Sequence, residues 1–492
     1  MDELVRLGQS NLERLPAGVR RPRYDRAALS PGIVHVGLGN FHRAHQAWYL
    51  HRLFEAGLNL DWAIVGAGVR PGDAVQRQKL LGQDCLTTLI ELDPSGTSAE
   101  VVGSMIDFVP VEATNAALIA RMAQPDIRIV SLTVTEGGYY IDPDGGGLDS
   151  SHPDIVHDAA NPQAPVTVFG AVVAALKRRR ALGLGPFAGQ CCDNLKENGA
   201  ILRRTIVSLA AMSDPELAAW IGENCSFPNS MVDCIVPATG PGEIALAREF
   251  GIDDKVPVTH ENFRQWVMED DFCAGRPDWD RVGATFTGRV QDYEAMKLRI
   301  LNGGHQVIAL PGELLGIRTI AGAMAEPLIA RLLRRVVTEE IAPHVAPVPG
   351  MTPLGYLDLV ERRFSNTRIE DTTRRVAFDG SSRQPGFVMP SIRDGLRAGT
   401  PVEGLALVSA MWAVYCRGRR EDGAPIEPND PAWTVLSTTA LEARDSPMAW
   451  LGMRRYYGDL ADAAPFANSF VRWMEHIGHD GVAGTISAYL AS

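Results

Sequence analysis

Gly32-Ile-Val-His-Val-Gly37-Leu-Gly39-Asn-Phe-His42 is the stretch whose reading decides the fold. Its first half is a short β-branched run, as expected of a buried strand. Gly37 ends that run, and Phe41 to Phe54 repeats apolar residues at helical spacing. Strand, tight turn and helix follow one another, with glycines at the first two positions of a dinucleotide fingerprint. The first glycine permits the turn; the second lets a pyrophosphate approach backbone amides. The third position holds His42 instead of glycine. Gly37, Gly39, Asn40 and Phe41 are therefore candidate cofactor-binding residues, with a purely structural turn as the alternative.

Working outward, Trp62-Ala63-Ile64-Val65 precedes Gly66-Ala67-Gly68, Ile127 to Val134 reads as another buried strand, and Phe187 to Cys192 as a weaker one. Strands alternating with helices imply a parallel sheet. From about Tyr293 the pattern becomes helical, broken by proline turns such as Ala342 to Pro347, and strand alternation is scarce. A chain of 492 residues is long enough for two or three domains. We expect an α/β domain over residues 1–285 and a mainly α-helical domain over 286–492.

Composition excludes several classes. With 46% hydrophobic and 22% charged residues the chain has enough apolar surface to fold alone. A net charge of -12 would repel nucleic acid. Lys177-Arg-Arg-Arg180 follows an apolar stretch and reads as the solvated last turn of a helix. No apolar run approaches the roughly 20 residues that span a bilayer, and the start lacks the features of a signal peptide, so a cytoplasmic location is expected. The seven cysteines form no C-x-x-C pair, which indicates reduced thiols. No heptad pattern is seen, and a monomer is expected. His42, His45 and His51 lack an evident further ligand, so no metal is expected. His476-Ile-Gly-His479 spells a synthetase tetrapeptide but lies far from a first Rossmann strand, and is read as coincidence.

The choice of dinucleotide usually rests on an acid, or a basic substitute, just after the second strand. Here the stretch is Gly66-Ala-Gly-Val-Arg70-Pro-Gly-Asp73. Asp73 could accept from ribose hydroxyls and Arg70 could pair with a 2′-phosphate, so the residues leave NAD and NADP open.

The densest constellation is Tyr293-Glu-Ala-Met-Lys297-Leu-Arg-Ile-Leu-Asn302-Gly-Gly-His305. At about 100° per residue, His305 lies about 80° and Asn302 about 140° around from Lys297, so one helix can present all three to a cleft. A lysine free in water titrates near 10.4, and desolvation lowers it to roughly 7 to 8, where it serves as general acid or base. Asn302 and His305 could hydrogen-bond a developing alkoxide. A solvated lysine, a turn asparagine and a core histidine are the alternative.

Gly-Leu-Gly-Asn-Phe-His-Arg-Ala-His45, Ser131-Leu-Thr-Val-Thr-Glu-Gly-Gly-Tyr139, Cys192-Asp-Asn-Leu-Lys-Glu-Asn-Gly199, Phe263-Arg-Gln-Trp266 and Lys297 to His305 together resemble the mannitol dehydrogenase family, the polyol-specific long-chain dehydrogenases and reductases. The resemblance covers nearly the whole chain. It implies a Rossmann-type N-terminal domain, a helical C-terminal domain, NAD as cofactor and no catalytic metal. It makes Lys297 the general base, Asn194 and Asn302 the residues that polarise the reacting oxygen, His305 a holder of substrate hydroxyls, and Glu294 an acid near the proton's exit. Asp233, Arg375 and Arg383 become substrate contacts. The family's D-G-S-x-K pattern ends here in Arg383, a planar fork where a point donor is usual. The implied reaction interconverts a polyol, such as mannitol or a related hexitol or pentitol, with its 2-ketose. Reduction of a keto-uronate such as fructuronate is the alternative, and a non-catalytic dinucleotide sensor a third.

Overall fold

The apolar runs around Gly37 line up as a five-stranded parallel sheet: β1 (Pro31–Val36), β2 (Ala63–Ala67), β3 (Met105–Phe108), β4 (Ile129–Leu132) and β5 (Ala188–Cys191), in the order β3-β2-β1-β4-β5. A computed structural model describes residues 4–142 and 146–492. The chain runs outward from β1 through β2 to β3, then returns to β4 on the other side of β1. Strand order therefore reverses at the end of β1, where sheets of this kind bind ligands. Both faces are covered, which is why the strands read as unbroken apolar runs. Val34, Val65 and Val130 pack with Phe169, Leu176 and Ile206, whereas Ile33, Ile64 and Ile129 pack with Leu50, Leu53 and Phe54.

One row across this sheet is polar. His35, Ser131 and Gln190 sit side by side on β1, β4 and β5. His35 Nδ1 meets Ser131 Oγ at 2.7 Å, Ser131 donates to Gln46 Oε1 at 2.8 Å, and Gln46 Nε2 donates to Gln190 Oε1 at 3.0 Å. All four are buried, and the chain of bonds satisfies them. It also ties α2 (Gln46–Glu55) to three strands.

Three smaller sheets accompany the main one. The hairpin Thr87–Asp93 with Gly96–Val102, which the sequence reading did not identify, belongs to a four-stranded sheet. Another sheet holds β6 (Ser230–Asp233), β7 (Gln265–Met268) and β8 (Thr285–Phe286). The pairing of β8 with β7 keeps residues 285 and 286 in the first unit. The chain accordingly divides between Gln291 and Asp292 rather than after residue 285.

The basic run departs from its expected solvation. It closes α4 (Val168–Ala181), but Arg179 is buried, donating to Gly185 O at 2.7 Å and Ile127 O at 3.0 Å. The carbonyls of two loops outcompete water for this guanidinium.

Beyond residue 291 the second unit contains no strand among the described residues. Its central helix α10 (Glu403–Tyr415) is buried from Gly404 to Tyr415, as expected of a helix apolar on all sides. Glu340 accepts from the Gly404 and Leu405 amides at 2.6 and 2.9 Å and caps that helix. His476 and His479 lie on the C-terminal helix α11 (Ala464–Ala491), where His476 pairs with Asp480 at 3.1 Å. No described helix is long and apolar enough to cross a membrane.

Burial holds His35, His260 and His305 down at about 3, from an ordinary 6.5. Each refuses a proton that the unfolded chain accepts, so stability is complete above about 6.5 and is lost as the pH falls toward 3. We expect the thermal midpoint to drop between about pH 7 and about pH 5, at about 1.4 kcal/mol per pH unit for each imidazole held neutral. A midpoint that is unchanged or rises over that interval would contradict this.

Candidate active site

At the end of β1 the backbone is constrained by contact. Gly37 has φ +97°, and its amide donates to Ala67 O at 3.1 Å. A Cβ there would lie 2.0 Å from Thr133 O. Gly39 is different: it precedes α1 (Asn40–Ala44) in an extended conformation, and a Cβ would meet no protein atom within 4 Å. Protein packing explains the first glycine and makes no demand on the second. The role left to Gly39 is to keep the turn's amides open to a ligand.

Asn40 and Phe41, both candidate cofactor contacts, have their side chains engaged within the protein. Asn40 Nδ2 donates to Pro237 O and Thr239 Oγ1, both at 2.8 Å, and its Oδ1 accepts from Arg43 at 2.6 Å. Phe41 stacks on His45 with ring centres 4.8 Å apart. Their backbone, not their side chains, faces the turn. His42 fills the third fingerprint position by lying flat on His35, 3.4 Å between centres and 17° between planes. Glycine normally serves close packing of helix on strand at that position; here a planar ring does so. His42, His45 and His51 go to separate partners: the His35 ring, Gln265 O at 3.0 Å, and Tyr24 Oη at 2.8 Å. Arg43, which the sequence reading passed over, is buried beneath the turn and donates to Gly39 O and Val256 O. Burial lowers it to about 10, so it remains charged at neutral pH.

Past β2, Asp73 opens α3 (Asp73–Leu81), and its Oδ2 accepts the Arg70 amide at 2.9 Å. Arg70 is exposed.

Beyond β5 the Cys-Asp-Asn stretch forms a turn with Asn194 exposed. The residue before it is the anchor. Asp193 accepts from the amides of Val134 at 3.0 Å and Thr135 at 2.9 Å, and from Tyr139 Oη at 2.7 Å. Thr135 has φ +69°, strained for a residue with a side chain, and these bonds hold it there. Asn198 donates to Ser230 O at 2.8 Å and accepts from the Ser230 amide at 2.9 Å, joining this turn to β6. The last residue of β6 is Asp233, which is buried. Asp193 and Asn198 were missed as functional supports, although both lie in the stretch that singled out Asn194.

In the second unit α6 (Val290–Met296) passes into a π-helical turn, Lys297–Asn302, and then into α7 (Gly303–Leu314). This corrects the angles expected of a regular helix. A π-turn bonds residue i to i+5, so Lys297 and Asn302 lie one above the other, and His305 follows Asn302 by one α-helical i, i+3 step. All three align more closely than 100° per residue allows. Lys297 and Glu294 are both buried, at 8% and 5% exposure. Arg299, within the turn, donates to Ser391 Oγ and pairs with Asp394, each at 3.0 Å, anchoring the irregular backbone.

His305 stacks on Phe364 at 4.0 Å, and its Nε2 has no hydrogen-bond partner among the described residues. The charges of Asp371, Arg375, Arg363 and Arg383 surround it. Arg375 forms a two-pronged pair with Asp371, at 2.6 and 2.5 Å. Arg383 donates to Val376 O at 2.7 Å.

The two glycines separate by experiment. Gly39→Ala is expected to melt like the parent while losing dinucleotide affinity by tenfold or more, roughly the cost of one displaced charge-assisted hydrogen bond. Gly37→Ala is expected to lose the fold of the turn itself. Unchanged affinity in Gly39→Ala, followed by fluorescence titration, would remove the turn from the binding site.

Comparison with known proteins follows the same division. Residues 31–281 match the mannitol dehydrogenase Rossmann domain, and residues 289–478 the mannitol dehydrogenase C-terminal domain. A mannitol 2-dehydrogenase of Cereibacter sphaeroides is 56% identical, over 96% of this chain and 99% of that protein. One of Phaeosphaeria nodorum is 41% identical, over 99% and 86%. Among solved structures, a Pseudomonas fluorescens mannitol 2-dehydrogenase in ternary complex with NAD and D-mannitol superposes with a TM-score of 0.90 at 40% identity, covering 99% of this chain and all of that one. A substrate-free D-sorbitol dehydrogenase gives 0.89 at 35% identity, over 98% and 100%. With both of its units matched along almost their full length, the chain belongs to the mannitol dehydrogenase family.

Proposed function

We propose that the protein interconverts a sugar alcohol and its 2-ketose, with NAD as hydride carrier, no catalytic metal, and Lys297 as general base. The observation that carries this reading is the π-turn, which stacks a buried lysine, an asparagine and a histidine in one line. The activity and the cofactor are those of the similar enzymes, of which one is named as a complex with NAD and D-mannitol.

When bound, NAD accepts the hydride from the carbinol carbon. Lys297 takes the hydroxyl proton as that hydride leaves, so the C–H and O–H bonds break and a carbonyl forms. Asn302 donates to the oxygen as negative charge grows there, and Asn194 of the first unit is assigned the same task. His305, kept neutral by burial, holds a neighbouring hydroxyl. Asp233, Arg375 and Arg383 bind the remaining hydroxyls. Glu294, one helical turn before Lys297, passes the proton on. Gly37 and Gly39 shape the dinucleotide turn. Asn40 and Phe41 support that turn, and Arg70 and Asp73 face the adenosine ribose.

Reduction of a keto-uronate is the second reading. The guanidinium groups near His305 favour it by offering partners to a carboxylate, and the pairing of Arg375 with Asp371 weighs against it. All seven cysteines are free, which suits a reducing compartment; we place the enzyme in the cytoplasm, as a monomer.

The test is Lys297→Ala, assayed with mannitol, arabinitol and sorbitol in the presence of a chelator. Turnover should fall by about 100- to 10,000-fold while dinucleotide affinity stays at the parent value. Turnover at the parent rate would reject the mechanism, and activity with fructuronate alone would move the assignment to the uronate reductases.

A further inference from the structure

We infer that the dinucleotide turn accepts a 2′-phosphorylated dinucleotide, NADP(H), as well as NAD(H), and that Arg70 is the ligand of the extra phosphate. The inference rests on the reading that the turn at Gly37 holds a dinucleotide.

The end of β2 lies beside that turn, because Gly37 donates to Ala67 O at 3.1 Å and Gln76 of α3 reaches Leu38 O at 3.5 Å. A carboxylate just past the second strand commonly receives the ribose hydroxyls and repels a 2′-phosphate. Here the first residue after β2 is Gly68, and the position admits no side chain: a Cβ would lie 2.3 Å from Asp73 Cβ. No acid occurs from Gly66 to Gly72. The nearest, Asp73, folds back so that its Oδ2 closes on the Arg70 amide at 2.9 Å. One face of its carboxylate is thereby spent on the loop, as in an Asx turn.

Arg70 is exposed, and its guanidinium makes no hydrogen bond or ion pair among the described residues. Its charge reaches the Tyr140 hydroxyl, in the loop after β4. The guanidinium therefore stands on the side of β2 that faces β4, across the strand that carries the glycine turn. A second cation, Arg77 of α3, donates to Phe108 O at 2.9 Å at the end of β3. Two cations thus flank one partly engaged carboxylate. A 2′-phosphate brings about -1.5 to -2 charges at neutral pH and suits the two-pronged fork of arginine. Asp73 keeps its other oxygen for a ribose hydroxyl, so NAD(H) is not barred.

The full-length protein can be titrated calorimetrically with AMP and with adenosine 2′,5′-bisphosphate, alongside initial rates of polyol oxidation with NAD and NADP. The bisphosphate should bind at least as tightly as AMP. Arg70→Gln, on an exposed loop, should weaken the bisphosphate roughly ten- to a hundredfold and leave AMP unchanged. Asp73→Asn should strengthen the bisphosphate. An unmodified protein that binds the bisphosphate more than about tenfold more weakly than AMP would overturn the inference while leaving dinucleotide binding intact. Arg70→Gln weakening both compounds alike would overturn it too. Binding of neither compound would overturn the dinucleotide reading and this inference together.

Discussion

No side chain fits at residue 37. The Thr133 carbonyl lies where a Cβ would go, and the backbone there is left-handed. That single contact fixes how closely β1 and the loop after β4 approach, and therefore where the amides of the Gly37 turn point. The amide of Gly37 is tied to β2 through Ala67 O, so the turn is braced on both neighbouring strands. Around it the protein builds outward with side chains that have little freedom left: Asn40 on Pro237 and Thr239, Arg43 on Gly39, His42 flat against His35. Each of these residues lies in or beside the fingerprint, and each serves the turn through packing or hydrogen bonding inside the protein.

The buried polar row beneath the turn carries the same constraint into the sheet. A histidine in the middle of β1 would be costly unless both ring nitrogens were satisfied. His35 meets Ser131 on one side and Thr133 on the other, at 2.7 and 2.8 Å. Thr133 is also the residue whose carbonyl excludes a side chain at 37, so one loop position serves both turn and strand. Asp193 then fastens the next residues of that loop, Val134 and Thr135, to the turn that presents Asn194. Two loops at the ends of adjacent strands are held as one body by a single carboxylate.

The sequence was legible where burial dictates residue type. β1, β2 and β4 could be read because both faces are covered and nothing polar is tolerated except the satisfied His35 and Ser131. β5, with Gly189 and Gln190 at its centre, gave a weaker signal because those residues owe their place to neighbours, the glycine to Phe227, 2.7 Å from where its Cβ would be, and the glutamine to Gln46. The hairpin at Thr87–Val102 escaped notice because acids interrupt its alternation at Glu91 and Glu100. Glu100 is charged only through a buried cluster with His51, Arg52 and Arg20, which no local pattern announces. Lys297, Asn302 and His305 were legible as a group, but the π-turn that aligns them was not. An i to i+5 backbone is imposed by anchors such as the Arg299 pair with Asp394, nearly a hundred residues away in the chain.

The surroundings of His305 bear on which chemistry the second unit can recognise. An imidazolium donates from both nitrogens and accepts at neither, whereas a neutral imidazole does one of each. His305 is kept neutral first by burial and then by the charges of Arg375, Arg363 and Arg383, against which Asp371 pulls in the other direction. Its stacking on Phe364 fixes the ring plane, and Nε2 is left without a bond among the described residues. A hydroxyl is both donor and acceptor, so it can bond a neutral ring whichever nitrogen carries the proton. A carboxylate only accepts, and it would raise the proton affinity of the ring, working against the burial that the fold imposes. Neutrality at this position therefore matches an uncharged, hydroxyl-rich carbon chain better than an acid, whatever the nearby guanidinium groups could offer a carboxylate elsewhere.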